Sequence, residues 1–411
     1  MMNYVIRLIT PNGTVSTFAG SGIRMSVDGY GTNASFNLPL AITISSSGDL
    51  YVSDAHIIRV INATRYVSTF ITTKDPFYNI LSLAFDNMGN LLAGEHNRIV
   101  LIYPDGNSTI IAGTMVSGWQ TITGPAVNGP GSSATFYSVT GLAVAPDGTI
   151  YASDFGFNLI RKLELVTPII VTCTDTSTIP FSTNLPNMGS TNVANTFSTN
   201  LPNIGSTDVA NTFTTTMPNI LTPIIPASGG GGLVIGVGVG TVSDTCQQGA
   251  CPTPTVSITS SPSCTPPPNQ DLYHVSTIAG SGGTSANDGQ GLSASFNNPR
   301  GVCFDPQGNI YVADRGNFAL RKINSAGYVT TIRSYSGEPH DVKCDAYGNV
   351  LIADQNFHLI QKYNTTSSTV STVAGAPVGN YMGYVDGPGP LAKFNYPRGL
   401  AIASTGEIYV I

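Results

Sequence analysis

A chain of 411 residues, 10% of them charged and with 45 Gly and 27 Pro, is long enough for one large domain or two ordinary ones. Its composition favours strands and turns over helices. The formal charge of −6 is uneven: all 17 Lys and Arg lie outside 169–272, where Asp175, Asp208, Asp244 and Asp271 sit, so the remainder is close to neutral and offers no broad basic face for nucleic acid. No run reaches the ~18 apolar residues of a membrane helix, and the N-terminus lacks the charged-then-apolar order of a signal peptide, so a soluble chain is expected.

In chain order, the sequence opens on two strand-like segments, YVIRLI (4–9) and TVSTFAG (14–20). A unit then recurs: an apolar strand, a turn ending in Gly, a strand ending in Asp, a third strand with a basic residue, and a fourth reading V-S/T-T-aliphatic. The turn glycines are Gly48, Gly89, Gly148, Gly308, Gly348 and Gly406. Glycine at that point admits the positive φ of a tight turn between antiparallel strands. Strand-sized segments at this spacing, with no amphipathic helix among them, predict a radial array of four-stranded sheets.

From 167 to 272 the composition shifts to Thr, Ser, Asn, Pro and Gly, with a 16-residue repeat marked by Phe181, Phe197 and Phe213. Nothing in it has the apolar periodicity of a core, so a disordered insert is expected, open to use as a spacer, stalk or adhesive arm. The units resume at 273, and the last stops after its second strand at Ile411. The two opening segments supply the third and fourth strands that this last unit lacks. Their joining would close a ring of six sheets and remove two exposed edges. The long loops DGYGTNASFNLP and DGQGLSASFNNP, and the alternating long and short steps between units, make the second half a duplicate of the first.

The stretch VSTIAGSGGTSANDGQGLSASFNNPRGVCFDPQGNIYVADRGNFALRKI (275–323) resembles the NHL-repeat β-propellers, and the resemblance covers nearly everything outside 167–272. It implies an all-β, six-bladed β-propeller closed by N-terminal strands, with the insert falling in blade 3. Propeller residues would then be 1–166 and 273–411. The innermost strand of each blade would be the GVCFD type, followed outward by IYVAD, ALRKI and VTTI. Some relatives of this fold, the streptogramin lyases and peptide α-amidating lyases, use His at the channel mouth, the latter to bind a metal.

Three residue sets fall on the face that carries the loops between blades. Asp54, Asp154, Asp314 and Asp354 end second strands and suit Asx-turns with the following loop. Asp28, Asn128, Asp288 and Asp386 each precede Gly in D/N-G-x-G-x-x-A-x-F, a loop anchored by its Ala and Phe. Arg300, His340 and Arg398 precede the inner strands of the second half, whereas the first half has Leu40, Thr140 and an apolar residue near Leu81 there. Convergent cations at a channel mouth suit a carboxylate or phosphate, with Asp314 and Asp354 beside them. Alternatively each Arg pairs with a neighbouring Asp. Of the five His, only His340 holds an inner position, so neither a metal site nor a cofactor is expected. Cys303 and Cys344 lie on inner strands one residue out of register and are expected not to pair. Cys246, Cys251 and Cys264 read as free thiols. Sequons at Asn12, Asn33, Asn62, Asn107 and Asn364 matter only in a secretory lumen.

The expected function is a non-enzymatic, monomeric interaction platform that binds a protein or small anionic ligand at its mouth. The alternatives are a lyase or hydrolase with His340 as acid/base, or a surface or particle coat protein that uses the insert as spacer.

Overall fold

The computed structural model describes residues 4–72, 79–114, 124–166, 272–334, 337–376 and 382–411, together with the backbone at 212–214 and 241–243. The chain falls into two units, Met1–Pro168 with Asp271–Ile411, and Ile169–Gln270. In the second, Thr212–Thr214 and Thr241–Ser243 pair as two antiparallel strands. The expected disorder of 167–272, and the thiols within it, otherwise lie outside the described residues.

The first unit is six antiparallel sheets of the expected strand order. Blade 1 runs Pro39–Ile44, Leu50–Asp54, Ile57–Ile61 and Tyr66–Thr72; blade 2 Ser82–Phe85, Leu91–Gly94, Arg98–Ile102 and Ser108–Gly113. Blade 3 runs Val139–Val144, Ile150–Asp154, Leu159–Leu165 and Tyr273–Ala279; in it Leu165 pairs with Tyr273 and Leu163 with Val275. Blade 4 is Pro299–Phe304, Ile310–Asp314, Ala319–Ile323 and Tyr328–Ser334; blade 5 is Pro339–Cys344, Val350–Asp354, Leu359–Asn364 and Thr369–Ala374. Blade 6 takes Leu400–Ile402 and Ile408–Val410 from the end of the chain, then Ile6–Ile9 and Thr14–Ala19 from its beginning. The seam pairs Arg7 with Val410, Leu8 with Tyr409 and Ile9 with Ile408, so both sheet edges are consumed as expected. Consecutive inner strands touch all the way round, blade 6 against blade 1 included.

Each turn glycine between first and second strands has φ between 79° and 93°, which a side chain would strain. Blades 1, 3, 4 and 6 carry a fifth, two-residue outer strand from the long loop that introduces them, and blades 2 and 5 do not. The order 5-4-5-5-4-5 is what a duplicated three-blade half produces. Apolar clusters form between blades rather than within them. Ile42, Leu50 and Val52 of blade 1 pack with Ile6, Ala19 and Ala401 of blade 6.

A polar network ties each long loop down. Arg59 of blade 1 is fully buried; its Nη1 donates to Ser35 O and Asp54, and its Nη2 to Asp28 at 2.7 Å. Arg161 repeats this with Thr135 O, Asp154, Val127 O and Asn128, and Arg321 with Ser295 O, Asp314, Asn287 O and Asp288. In blade 6 Arg7 reaches Lys393 O, Val385 O and Asp386. Phe36, Phe136, Phe296 and Phe394 lie beneath the four guanidinium groups at 4.9–5.5 Å. The loop carboxylates and Asn128 are thus structural. Of the second-strand Asp residues, Asp354 accepts the Phe357 amide of the following loop as expected and Asp314 the Asn317 side chain, while Asp54 and Asp154 work backward. Asp54 accepts the Asn37 and Leu38 amides, and Asp154 accepts those of Tyr137 and Ser138.

The disulfide Cys303–Cys344 corrects the expectation that these thiols stay apart; their Cα atoms are 5.6 Å apart. Alternation along a strand decides pairing within one sheet, but these two strands belong to different sheets packed face to face. Cys303 must point forward from blade 4 and Cys344 backward from blade 5. A one-residue offset supplies those opposite directions. Phe304, the counterpart of Cys344, accordingly faces back to Tyr151 of blade 3.

Candidate functional site

One residue at or just before the start of each inner strand defines a ring at the loop-side mouth: Leu40, Leu81, Thr140, Arg300, His340 and Arg398. All six are partly exposed, whereas the residues before them, Pro39, Ile80, Val139, Pro299, Pro339 and Pro397, are buried. Register irregularities at this point in blades 1, 3, 4 and 5 re-aim the side chains, as bulges do. A cavity on the axis is lined by Leu40, Leu81, Thr140, His340, Lys343 and Arg398, with others.

The cationic half is held together by His340. Its Nδ1 lies 3.1 Å from the Arg398 carbonyl, which can only accept, so Nδ1 carries the proton. Its Nε2 is then the acceptor for Arg300 Nη1 at 2.9 Å. Burial, followed by the charges of Arg300, Arg398 and Arg315, holds the imidazole well below its ordinary range. It is therefore neutral at physiological pH. Arg300 lies 4.8 Å from the Phe155 ring centroid and is lowered to about 9, chiefly by burial and then by Arg315 and Arg398. Arg398 is lowered by burial and then by Arg315. Both guanidinium groups stay charged at neutral pH, and among the described residues neither has a carboxylate within ion-pair distance. The alternative that each Arg pairs with an Asp is therefore not what the structure holds. Arg315 does pair, with Glu338 at 2.7 Å.

One step deeper, Asp341 interrupts the small residues Ala41, Ser82, Gly141, Gly301 and Gly399. Its carboxylate accepts the Val342 and Leu400 amides and lies 3.5 Å from Lys343 Nζ. Burial, opposed by Lys343, pushes it up. Gly301 makes the room: a Cβ there would collide with Asp341 Oδ1.

Asp314 and Asp354, expected among the ligand-binding residues, are 0% and 1% exposed. Asp314 is taken up by the Asn297 amide, Asn317 and Arg321; Asp354 by backbone N–H groups that include Phe357 at 3.0 Å. A carboxylate so engaged presents nothing to a ligand, and the assembled group is Arg300, His340 and Arg398. Sequence reasoning missed Arg315, Glu338, Asp341 and Lys343. The signal for Asp341 was its break in a row of Gly, Ala and Ser. Among the described residues no three His, Cys, Asp or Glu side chains gather as a metal would require. Among the described residues no helix is long and apolar enough to cross a membrane.

Six radial sheets around an axial mouth define the class as a six-bladed β-propeller. Residues 296–323, from the loop before blade 4 to the end of its third strand, match the NHL repeat. That match and the ring together fit an NHL-repeat β-propeller. No curated protein matches the sequence. Among solved structures, a protein of unknown function from Bacteroides thetaiotaomicron is similar at 12% identity and a TM-score of 0.52, over 98% of this chain and 76% of that one. Virginiamycin B lyase from Staphylococcus aureus is similar at 12% identity and 0.43, over 90% and 94%. A gluconolactonase from Xanthomonas campestris is similar at 11% and 0.43, over 91% and 85%. Likeness at this identity speaks to fold alone.

Proposed function

We propose that the chain is a non-enzymatic binding protein that takes an anionic ligand, free or displayed on a partner protein, at the channel mouth. The supporting observation is the pair Arg300 and Arg398, two guanidinium groups without carboxylate partners among the described residues, flanking one neutral imidazole that accepts from the Arg300 guanidinium and donates to the Arg398 backbone carbonyl. Charge-assisted hydrogen bonds to such groups are worth about 1.5–3 kcal/mol each. Calorimetric titration of the full chain with inorganic phosphate and with succinate tests the reading. At least one should bind, and Arg398→Gln and Arg300→Gln should each weaken it tenfold or more. Absent heat for both anions, or affinity indifferent to both substitutions, would refute it.

The hydrogen bonds weigh against His340 as acid/base, because its lone pair is engaged by Arg300 and its proton by a carbonyl. They favour His340 as the residue that positions Arg300. His340→Ala should therefore loosen anion binding. Turnover of a bound anion by the wild type, lost in His340→Ala with affinity retained, would favour the lyase or hydrolase reading instead.

A further inference from the structure

The two halves of the mouth differ in more than charge. In blades 1–3 the cavity is lined by Leu40, Ala41, Ile42, Leu81, Leu83 and Leu142, and the only polar side chains there are Ser82 and Thr140. Both turn away from the axis in their bonding: Ser82 Oγ donates to Val139 O at 3.0 Å, and Thr140 Oγ1 to Pro299 O at 3.0 Å. In its side chains that half therefore shows a ligand aliphatic carbon and no uncommitted hydroxyl. On the other half the cavity is lined by His340, Asp341, Lys343 and Arg398, with Arg300, Arg315 and Glu338 beside it; Glu338 pairs with Arg315 and Asp341 with Lys343. Four positive charges less two negative leaves +2.

We infer, resting on the binding reading above, that the anion this mouth accepts is the one- or two-charge head of an otherwise apolar molecule. The head lies on Arg300 and Arg398, and the body lies against Leu40 and Leu81. A small, fully hydrated anion would satisfy the guanidinium groups yet leave water between itself and the leucines. An aryl or alkyl body displaces that water and gains the transfer free energy of its buried carbon. An apolar molecule without the head would strand both guanidinium groups and be rejected. The class is thus amphipathic carboxylates and phosphate monoesters, whether free small molecules or acidic groups on a hydrophobic peptide end.

The test compares inorganic phosphate, phenyl phosphate and n-butyl phosphate by calorimetry on the full chain. Phenyl and butyl phosphate should bind about 10–30 times more tightly than phosphate, the gain expected for burying a body of that size. Arg398→Gln should weaken all three. In Leu81→Ser the ratio of phenyl phosphate to phosphate affinity should collapse toward one, and Leu40→Ser provides a second variant if the first misfolds. Phosphate binding with no advantage for either ester, or an advantage untouched by both Leu substitutions, overturns the inference and leaves the anion site standing. Failure of all three probes to bind overturns both.

Discussion

Arg321→Gln probes the network that fastens the loop before blade 4. The wild-type guanidinium is fully buried and makes four hydrogen bonds of 2.7–2.9 Å, two to backbone carbonyls and two to Asp314 and Asp288. Asp314 is as deeply buried, and its pKa is already raised by that burial against the pull of Arg321. Glutamine can replace one or two of the bonds but none of the charge, so Asp314 is left as a buried carboxylate without a counter-ion. Breaking a buried pair from one side costs about 3–5 kcal/mol, and the same range is expected here. Asp314→Asn in the same chain should recover part of the loss, because it removes the stranded charge; a coupling above about 1 kcal/mol is expected from the double-mutant cycle. Urea denaturation followed by tyrosine fluorescence and far-UV circular dichroism supplies the free energies. A loss below about 1 kcal/mol in Arg321→Gln, or strict additivity with Asp314→Asn, would refute the view that this pair bears stability.

His340 predicts a pH dependence. Its pKa is depressed on folding, so between the folded and unfolded values the unfolded chain holds more protons. Stability is full above about 6.5 and falls below it by up to about 1.4 kcal/mol per pH unit. Arg300, Arg315 and Arg398, which face the ring, stay charged throughout that window, so the slope lost in His340→Gln should be that of one proton; equal slopes would contradict the burial argument. Replacing Cys303 and Cys344 together by Ala should cost about 4 kcal/mol, the loop-closure value for a separation of 41 residues. Equal denaturation midpoints for the wild type and the double variant would show that the bond adds nothing.

The fold was legible because its signals are local. Gly48 and its five counterparts mark a positive-φ turn wherever they stand, and the missing half of the last blade could be matched to segments 4–9 and 14–20 by pattern. The Arg networks were only half legible. Arg59 lies 31 residues from Asp28, and nothing near either names the other. The copies do carry the clue. Blades with Arg at the third-strand position of Arg59 also have a D/N-G loop and a Thr in the fourth, as in Thr69 and Thr331, which donate to Asp28 and Asp288, whereas blade 2 has Val100 there and no such loop. Blade 5, with Gln361 instead, lacks the loop. The mouth residues Arg300, His340 and Arg398 could be placed by alignment of the repeats, but the imidazole that bridges two blades could not, since it depends on how neighbouring sheets face each other. The disulfide escaped for the same reason.

The seam in blade 6 joins Arg7 to Val410, partners drawn from opposite extremes of the chain. Such a pairing carries the greatest loop-closure entropy in the molecule and is expected to zip last during folding. Arg398 and Leu40 stand on either side of that late junction, so the cavity they line exists only once the circle is shut. A ligand bound there would draw the equilibrium toward the shut form, a clasp on the joint that closes last.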